Sequence, residues 1–157
     1  MIEYVKGNLL DVQSGIIVHG CNAQGVMGSG VALAVKNKYP ECFEEYKTEY
    51  VQYGLNLGDI IWWNNDLDCI NNLSVSSMLF IANAITQQNY GTDRRHVNYW
   101  AIANVFKEVI RQATNTKTVV HFPKIGAGLG GGRWEIIEEI INDCDPENRV
   151  KKICWEL

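Results

Sequence analysis

The sequence predicts an α/β protein, a three-layer α/β/α sandwich around a central mixed, mostly parallel sheet. Short apolar runs typical of strands alternate with runs that have helical periodicity. Two glycine-rich stretches each follow such a strand-type run and precede a helical one. The chain has 157 residues, of which 46% are apolar, which is the size and composition of one globular unit. We therefore expect residues 1–157 to form a single domain.

The first half of the chain predicts two strands followed by two helices. Strands are expected at Ile2–Lys6 and Gly15–His19, and the second is apolar throughout, as in a strand covered on both faces. A helix is expected over Val31–Tyr39. Pro40 ends it and suits the first turn of a second helix, which aromatic residues at helical spacing continue as far as Gly54.

The second half predicts four strands and two helices. The polar segment Asn64–Ser77 is expected to be a hairpin connection, and Thr86–Arg94 a loop. Strands are expected at Asp59–Trp63, Met78–Ala84, Thr118–Phe122 and Val150–Trp155. One helix is expected to begin at His96 and to carry Tyr99, Ile102, Ala103, Phe106 and Ile110 on one face, and another is expected over Trp134–Asp143.

Composition and charge narrow the class of protein. No apolar run approaches the roughly 18 residues needed to cross a membrane, and the first residues lack a signal-peptide pattern, so a soluble cytoplasmic protein is expected. Five cysteines without a CxxC pair favour reduced thiols over disulfides or structural zinc. A net charge of −4 gives no strong signal for nucleic-acid binding. We expect neither a metal nor a cofactor.

The glycine-rich stretches are HGCNAQGVMGSGVALA at residues 19–34 and KIGAGLGGGR at residues 124–133. The carboxyl ends of parallel strands meet at one edge of a sheet, so both loops should border one crevice. A helix N-terminus carries unpaired N–H groups and a partial positive charge, and glycine lets an anion approach them. The two loops together therefore predict a binding site for a diphosphate.

Other motif readings are weaker. Residues 126–131 satisfy GxGxxG, but only one helix and one strand follow them, which leaves no room for a Rossmann dinucleotide unit. His19 and Cys21 lack further partners at metal-ligand spacing. Residues that lie close together in the sequence do not form a Ser-His-Asp, paired-carboxylate or Cys-His arrangement. The residues alone thus indicate a phosphate-bearing small ligand and leave its chemistry open.

The whole chain resembles a macrodomain, the ADP-ribose-binding α/β/α module. The resemblance rests on five fragments in order: YVKGNLL, IIVHGCNAQGVMGSGVALA, IANAITQQNYGTDRRHVNY, FPKIGAGLGGGRW and the closing CWEL. Within the family the chain looks most like the branch containing ADP-ribose 1''-phosphate phosphatases and terminal ADP-ribose protein hydrolases. The resemblance implies ADP-ribose or ADP-ribose 1''-phosphate as the ligand, with ADP-ribosylated macromolecules as further candidates.

The resemblance also implies roles for individual residues. Asn8, followed by Leu9, takes the place of the acidic residue that contacts the adenine amino group. Asn22 matches the asparagine that holds the distal ribose and orients the scissile group, and His19 replaces an earlier asparagine. The loops expected around the diphosphate and distal ribose comprise Gly28, Ser29, Gly30 and Val31, and Ile125, Gly126, Ala127, Gly128, Leu129 and Gly130.

Two departures from the family pattern bear on the reaction. The lysine nucleophile and assisting aspartate of the protein-glutamate hydrolases align with Gln87 and Gly130, which argues against that covalent mechanism. We expect hydrolysis of ADP-ribose 1''-phosphate to ADP-ribose and phosphate, with Asn22 and His19 as catalytic residues and His19 as general acid/base. The alternatives are a non-catalytic ADP-ribose-binding module and a hydrolase that removes ADP-ribose from protein or nucleic acid.

Overall fold

The computed structural model of the chain describes residues 1–65 and 77–157. Most of the expected connection Asn64–Ser77 lies outside the described residues, as does Cys69. The described residues contain six strands and four α-helices. The strands are β1 (Ile2–Lys6), β2 (Gly15–Asn22), β3 (Ile60–Asn64), β4 (Leu79–Gln87), β5 (Val120–Phe122) and β6 (Lys152–Glu156). The helices are α1 (Gly30–Lys38), α2 (Pro40–Tyr53), α3 (Tyr99–Thr116) and α4 (Trp134–Asp143).

The strands form one sheet in the order β1-β6-β5-β2-β4-β3. Every neighbouring pair is parallel except β3 and β4, which are antiparallel. The sheet is therefore mixed and mostly parallel, as the sequence predicts. Its carboxyl edge gathers the ends of β2, β4 and β5, because these strands run in the same direction.

Helices cover both faces of the sheet. Alternate residues of β2 point to opposite faces: Ile16 and Val18 belong to the apolar cluster that includes α3 and α4, whereas Ile17 packs in the cluster that includes α1 and α2. All three side chains are at most 2% exposed. Burial on both faces explains why β2 is apolar without alternation, and the three-layer sandwich is confirmed.

Local sequence sets the helix limits. Pro40 occupies the first turn of α2, and Gly54, with φ of 72°, follows its end. Asn98 begins α3, because its Oδ1 accepts a hydrogen bond from Ala101 N at 2.9 Å. No helix in the described part of the chain is long and apolar enough to span a membrane.

Two strands are longer than the sequence predicts. β2 continues from His19 to Asn22, and β4 continues from Ala84 to Gln87, since each extends the parallel ladder of the other. The pairing shifts by one residue beside Asn22, which lies opposite Gln87. These two polar side chains are therefore carried on the ends of adjacent strands, at the carboxyl edge.

A buried ion pair lies at the other edge of the sheet. Lys152, the first residue of β6, is fully buried, and its Nζ lies 2.5 Å from Asp145 Oδ2 and 2.8 Å from Val150 O. Asp145 also accepts hydrogen bonds from the backbone N–H groups of Arg149 and Val150. The paired charges thus join β6 to the turn that precedes it.

Candidate ligand-binding cleft

A cavity of about 660 Å³ lies along the carboxyl ends of β2, β4 and β5, and we refer to it as the cleft. Its size falls within the range of small-molecule sites. Three loops line it, and two of them are the glycine-rich loops, which do share one edge. The lining residues are Gly20, Cys21, Asn22, Val26, Gly28, Ser29, Gly30, Val31, Ala32, Thr86, Gln87, Tyr90, Gly91, Thr92, Pro123, Lys124, Ile125, Gly126, Gly128, Leu129 and Gly130.

The first glycine-rich loop brings the N-terminus of α1 to the cleft. Gly28, Ser29, Gly30 and Val31 all line the cavity, and α1 begins at Gly30. Gly30 has φ of +59°, a conformation that favours glycine over other residues. The first N–H groups of α1 have no partner within the helix, and their dipoles favour an anion at this point.

The second glycine-rich loop packs tightly against the segment before α3. Gly126 has φ of +77°, and a Cβ there would lie 2.6 Å from Val97 Cγ2. Gly130 O accepts hydrogen bonds from His96 N at 2.8 Å and Val97 N at 3.1 Å. Of the residues expected in this loop, Ala127 alone is absent from the cavity lining and packs instead against the core.

The Asn22 side chain is held in one orientation. Its Oδ1 accepts hydrogen bonds from Gln24 N at 3.0 Å, from Val26 N at 3.4 Å and from the Tyr46 hydroxyl at 3.0 Å. Backbone N–H groups can only donate, so the amide oxygen must face them. Asn22 Nδ2 donates to Val26 O at 2.8 Å, which uses one of its two N–H groups. Asn22 therefore offers the cleft a hydrogen-bond donor and no acceptor.

His19 does not reach the cleft. It is fully buried, and its Nε2 lies 2.6 Å from Asn83 Oδ1 on the neighbouring strand. Burial lowers the pKa of His19 to about 4, so the ring is neutral at pH 7. The register of β2 against β4 places His19 opposite Asn83, inside the sheet. This placement corrects the expectation that His19 acts as general acid/base on a ligand in the cleft.

Asn8 and Leu9 lie beside the end of β1 and are not part of the cavity lining. Asn8 Oδ1 accepts a hydrogen bond from Leu10 N at 2.9 Å, which caps a short 3-10 turn over Leu9–Asp11. Leu9 is 6% exposed and belongs to the core under α1 and α2. Both residues therefore have structural roles in the unliganded fold.

Sequence reasoning missed the third wall of the cleft. It comes from the end of β4 and the loop after it, where Thr86, Gln87, Tyr90, Gly91 and Thr92 line the cavity. The signal was available, because this segment also follows a buried parallel strand and contains a glycine.

Lys124 is the one charged side chain among the described lining residues. Its Nζ lies 3.2 Å from Glu156 Oε2, and both side chains are partly exposed. The same lining holds no Asp, Glu or His. Cys21 does line the cleft, but burial raises the pKa of its thiol well above the usual value, so it is not a thiolate nucleophile.

The groups that the cleft offers to a ligand are therefore mainly main-chain N–H groups, the Asn22 amide and one cation. No cluster of three His, Cys, Asp or Glu side chains that could hold a metal ion occurs within residues 1–65 and 77–157. The arrangement can bind a phosphate-bearing ligand by geometry, whereas few side chains are available to transfer a proton.

A three-layer sandwich with glycine-rich loops at the carboxyl edge defines the class of α/β proteins that bind phosphate ligands on main-chain N–H groups. The Macro domain family model matches residues 18–141. The chain belongs to the Macro domain family, which confirms the resemblance drawn from the sequence.

Three known proteins are similar to the chain over most of its length. It is 28% identical to an ADP-ribose 1''-phosphate phosphatase of Scheffersomyces stipitis over 96% of this chain and 98% of the relative. It is 27% identical to a DNA ADP-ribosyl glycohydrolase of Mycobacterium tuberculosis over 88% of this chain and 37% of the relative. A solved structure of a Bacteroides thetaiotaomicron protein of unknown function is 30% identical, with a TM-score of 0.84, over 100% of this chain and 98% of that chain.

Proposed function

We propose that residues 1–157 form a single macrodomain that binds ADP-ribose and hydrolyses ADP-ribose 1''-phosphate to ADP-ribose and phosphate. The observation that carries the proposal is that Asn22, at the end of β2, lines one cleft together with residues of both glycine-rich loops. A diphosphate would lie over the end of β2, between those loops. The proposal includes the cytoplasmic location expected from the sequence.

The positions of Asn22 and Lys124 give the orientation in which we propose that the ligand lies in the cleft. Asn22 lies at the end of β2 and pairs with Gln87 on β4, whereas Lys124 follows β5, which lies on the other side of β2. With Asn22 donating to the distal ribose, the 1''-phosphate would lie towards the β4 wall, where Tyr90 and Thr92 line the cleft. The adenosine end would then extend towards Lys124 and Glu156.

Hydrolysis of a phosphate monoester requires few ionisable side chains. Water attacks phosphorus, the bond from phosphorus to the ribose oxygen breaks, and that oxygen takes a proton, which yields ADP-ribose and inorganic phosphate. Positioning and main-chain donors can stabilise the transferring group. Since the described lining holds no Asp, Glu or His, the water transfers its proton to a phosphate oxygen of the substrate or to solvent.

The positions that carry the lysine-dependent mechanism in the resembling branch both lie on the cleft. They hold Gln87 and Gly130, and neither residue can replace the lysine nucleophile or its aspartate partner. The two positions therefore lie on the cleft without the side chains that the lysine-dependent mechanism needs. This supports a reaction without a covalent intermediate.

A second candidate is a non-catalytic ADP-ribose-binding module. The absence of Asp, Glu and His from the described lining favours it, because general acid/base catalysis usually depends on such groups. A hydrolase acting on ADP-ribosylated DNA is a further alternative, supported by the name of the 27% identical Mycobacterium relative.

Calorimetry with ADP-ribose and phosphate release from ADP-ribose 1''-phosphate test the proposal together. We expect binding, and turnover that falls in Asn22→Ala. Binding without phosphate release would support the non-catalytic module, and release of ADP-ribose from modified DNA or protein would support the third alternative. Absence of binding would contradict all three.

A further inference from the structure

We propose that Tyr46 is the positioning residue of the cleft: its hydroxyl fixes the Asn22 amide so that a free N–H group faces the ligand. The proposal rests on the proposed function, because that function supplies the ligand to which the N–H group donates. It concerns a residue that lies outside both glycine-rich loops and is absent from the cavity lining.

The Tyr46 hydroxyl reaches Asn22 at two points. It lies 2.6 Å from Asn22 O and 3.0 Å from Asn22 Oδ1, and a single hydroxyl proton serves both acceptors. Tyr46 is fully buried. Burial raises its pKa above the usual value, so the hydroxyl keeps its proton and remains a donor at neutral pH.

The same face of α2 holds the rest of the turn that Asn22 begins. Gly25 packs under the ring of Tyr50, since a Cβ on Gly25 would lie 2.4 Å from Tyr50 Cδ1. Lys47 Nζ donates to Gly25 O at 3.3 Å. Tyr46, Lys47 and Tyr50 therefore support residues 22–26 at both ends of the turn, and Tyr46 is the member that touches the side chain facing the ligand.

Packing alone does not explain a tyrosine at this position. A phenylalanine would fill nearly the same space, and a buried hydroxyl costs free energy unless it is hydrogen-bonded. The hydroxyl contributes the third bond to Asn22 Oδ1, beside those from Gln24 N and Val26 N. Without it the amide keeps the bond from Gln24 N, the bond to Val26 O and a long one at 3.4 Å from Val26 N, so the side chain is held less firmly.

The test is a double-mutant cycle with Tyr46→Phe, Asn22→Ala and the pair together. We expect Tyr46→Phe to lower kcat/KM for phosphate release about tenfold, the effect of losing one net hydrogen bond. In the Asn22→Ala background the same change should have a smaller effect, because only the hydrogen bond to the main-chain O of residue 22 remains to be lost. Tyr53→Phe is the matched control, since Tyr53 lies on the same helix and is 77% exposed.

An equal loss of kcat/KM in both backgrounds would overturn the proposal, because a general packing defect would then explain it. The side-chain amide signals of Asn22 in an NMR spectrum of the unliganded protein give a readout that needs no activity. They should move in Tyr46→Phe and stay in place in Tyr53→Phe; signals unchanged in Tyr46→Phe would overturn the proposal. If wild type neither binds ADP-ribose nor releases phosphate, the proposed function fails while this readout still decides the role of Tyr46.

Discussion

His19 Nε2 lies 2.6 Å from Asn83 Oδ1, across the pairing of β2 with β4 and away from the cleft. Asn83 Nδ2 in turn donates to Ile61 O at 3.1 Å on β3. Three adjacent strands are thus joined inside the sheet by one histidine and one asparagine. The pair stabilises the sheet next to the cleft, and neither residue is among those that line it.

Protonation of His19 should destabilise the protein. Its pKa is about 4 in the folded state and about 6.5 when the chain is unfolded, so only the unfolded state binds the proton between these values. Stability therefore falls as the pH drops from 6.5 to 4, by roughly 3 kcal/mol from this group. Urea unfolding of wild type and His19→Gln across this range should show a shallower pH dependence in the variant. Equal slopes would contradict the prediction.

Substitutions at two glycines of the second glycine-rich loop should have different effects, one on folding stability and the other on ligand binding. Gly126→Ala places a Cβ 2.6 Å from Val97 Cγ2 at positive φ, and we expect it to cost about 1–3 kcal/mol of stability. Gly128→Ala meets no atom within 4 Å but enters the cleft, so it should leave the melting temperature unchanged and weaken ADP-ribose binding about tenfold. Calorimetry of both variants measures their melting temperatures and their ADP-ribose affinities. Equal changes in melting temperature together with equal changes in affinity would contradict the prediction.

Lys124 should contribute a modest, salt-dependent part of ligand affinity. The side chain is 45% exposed and already paired with Glu156, so we expect Lys124→Gln to weaken ADP-ribose binding only about threefold. The difference should shrink as salt rises, because salt screens exposed charges. Lys107→Gln, an exposed change on α3, is the control. A loss in Lys124→Gln that does not depend on salt would contradict an electrostatic contribution of Lys124 to ligand affinity.

Lys152 should affect stability and not binding. Lys152→Met leaves the Asp145 carboxylate buried without its cation, which typically costs about 3–5 kcal/mol. ADP-ribose affinity should be unchanged in protein that remains folded, since β6 begins at the edge opposite the cleft. Lys151→Met, at an exposed neighbour that lies 3.8 Å from Glu3, should change stability by less than about 0.5 kcal/mol. Denaturant unfolding with parallel calorimetry distinguishes the two effects.

Much of the fold could be predicted because its signals are local. Trp134–Asp143 is a helix with the predicted ends, and Pro40 and Gly54 mark the limits of α2. Each glycine-rich loop directly follows a strand, and these strands are parallel, so both loops lie at the carboxyl edge of the sheet. The ends of β2 and β4 could not be predicted in this way, because each depends on pairing with a strand far away in the sequence.

The orientation of site residues was harder to predict. β2 is buried on both faces, so its sequence carries no alternation that would show which way His19 points. The Asn22 amide is fixed by Tyr46, 24 residues further along the chain, and no local pattern reveals that contact. Asn8 was assigned from a resemblance, whereas its capping bond to Leu10 depends on backbone geometry.

The most direct test of the account is phosphate release from ADP-ribose 1''-phosphate by wild type and Asn22→Ala, with ADP-ribose binding measured on the same preparations. We expect wild type to bind ADP-ribose and release phosphate, and turnover to fall by at least about tenfold in Asn22→Ala while the variant remains folded. Phosphate release that is equal in both proteins would contradict the central role of Asn22 in the cleft.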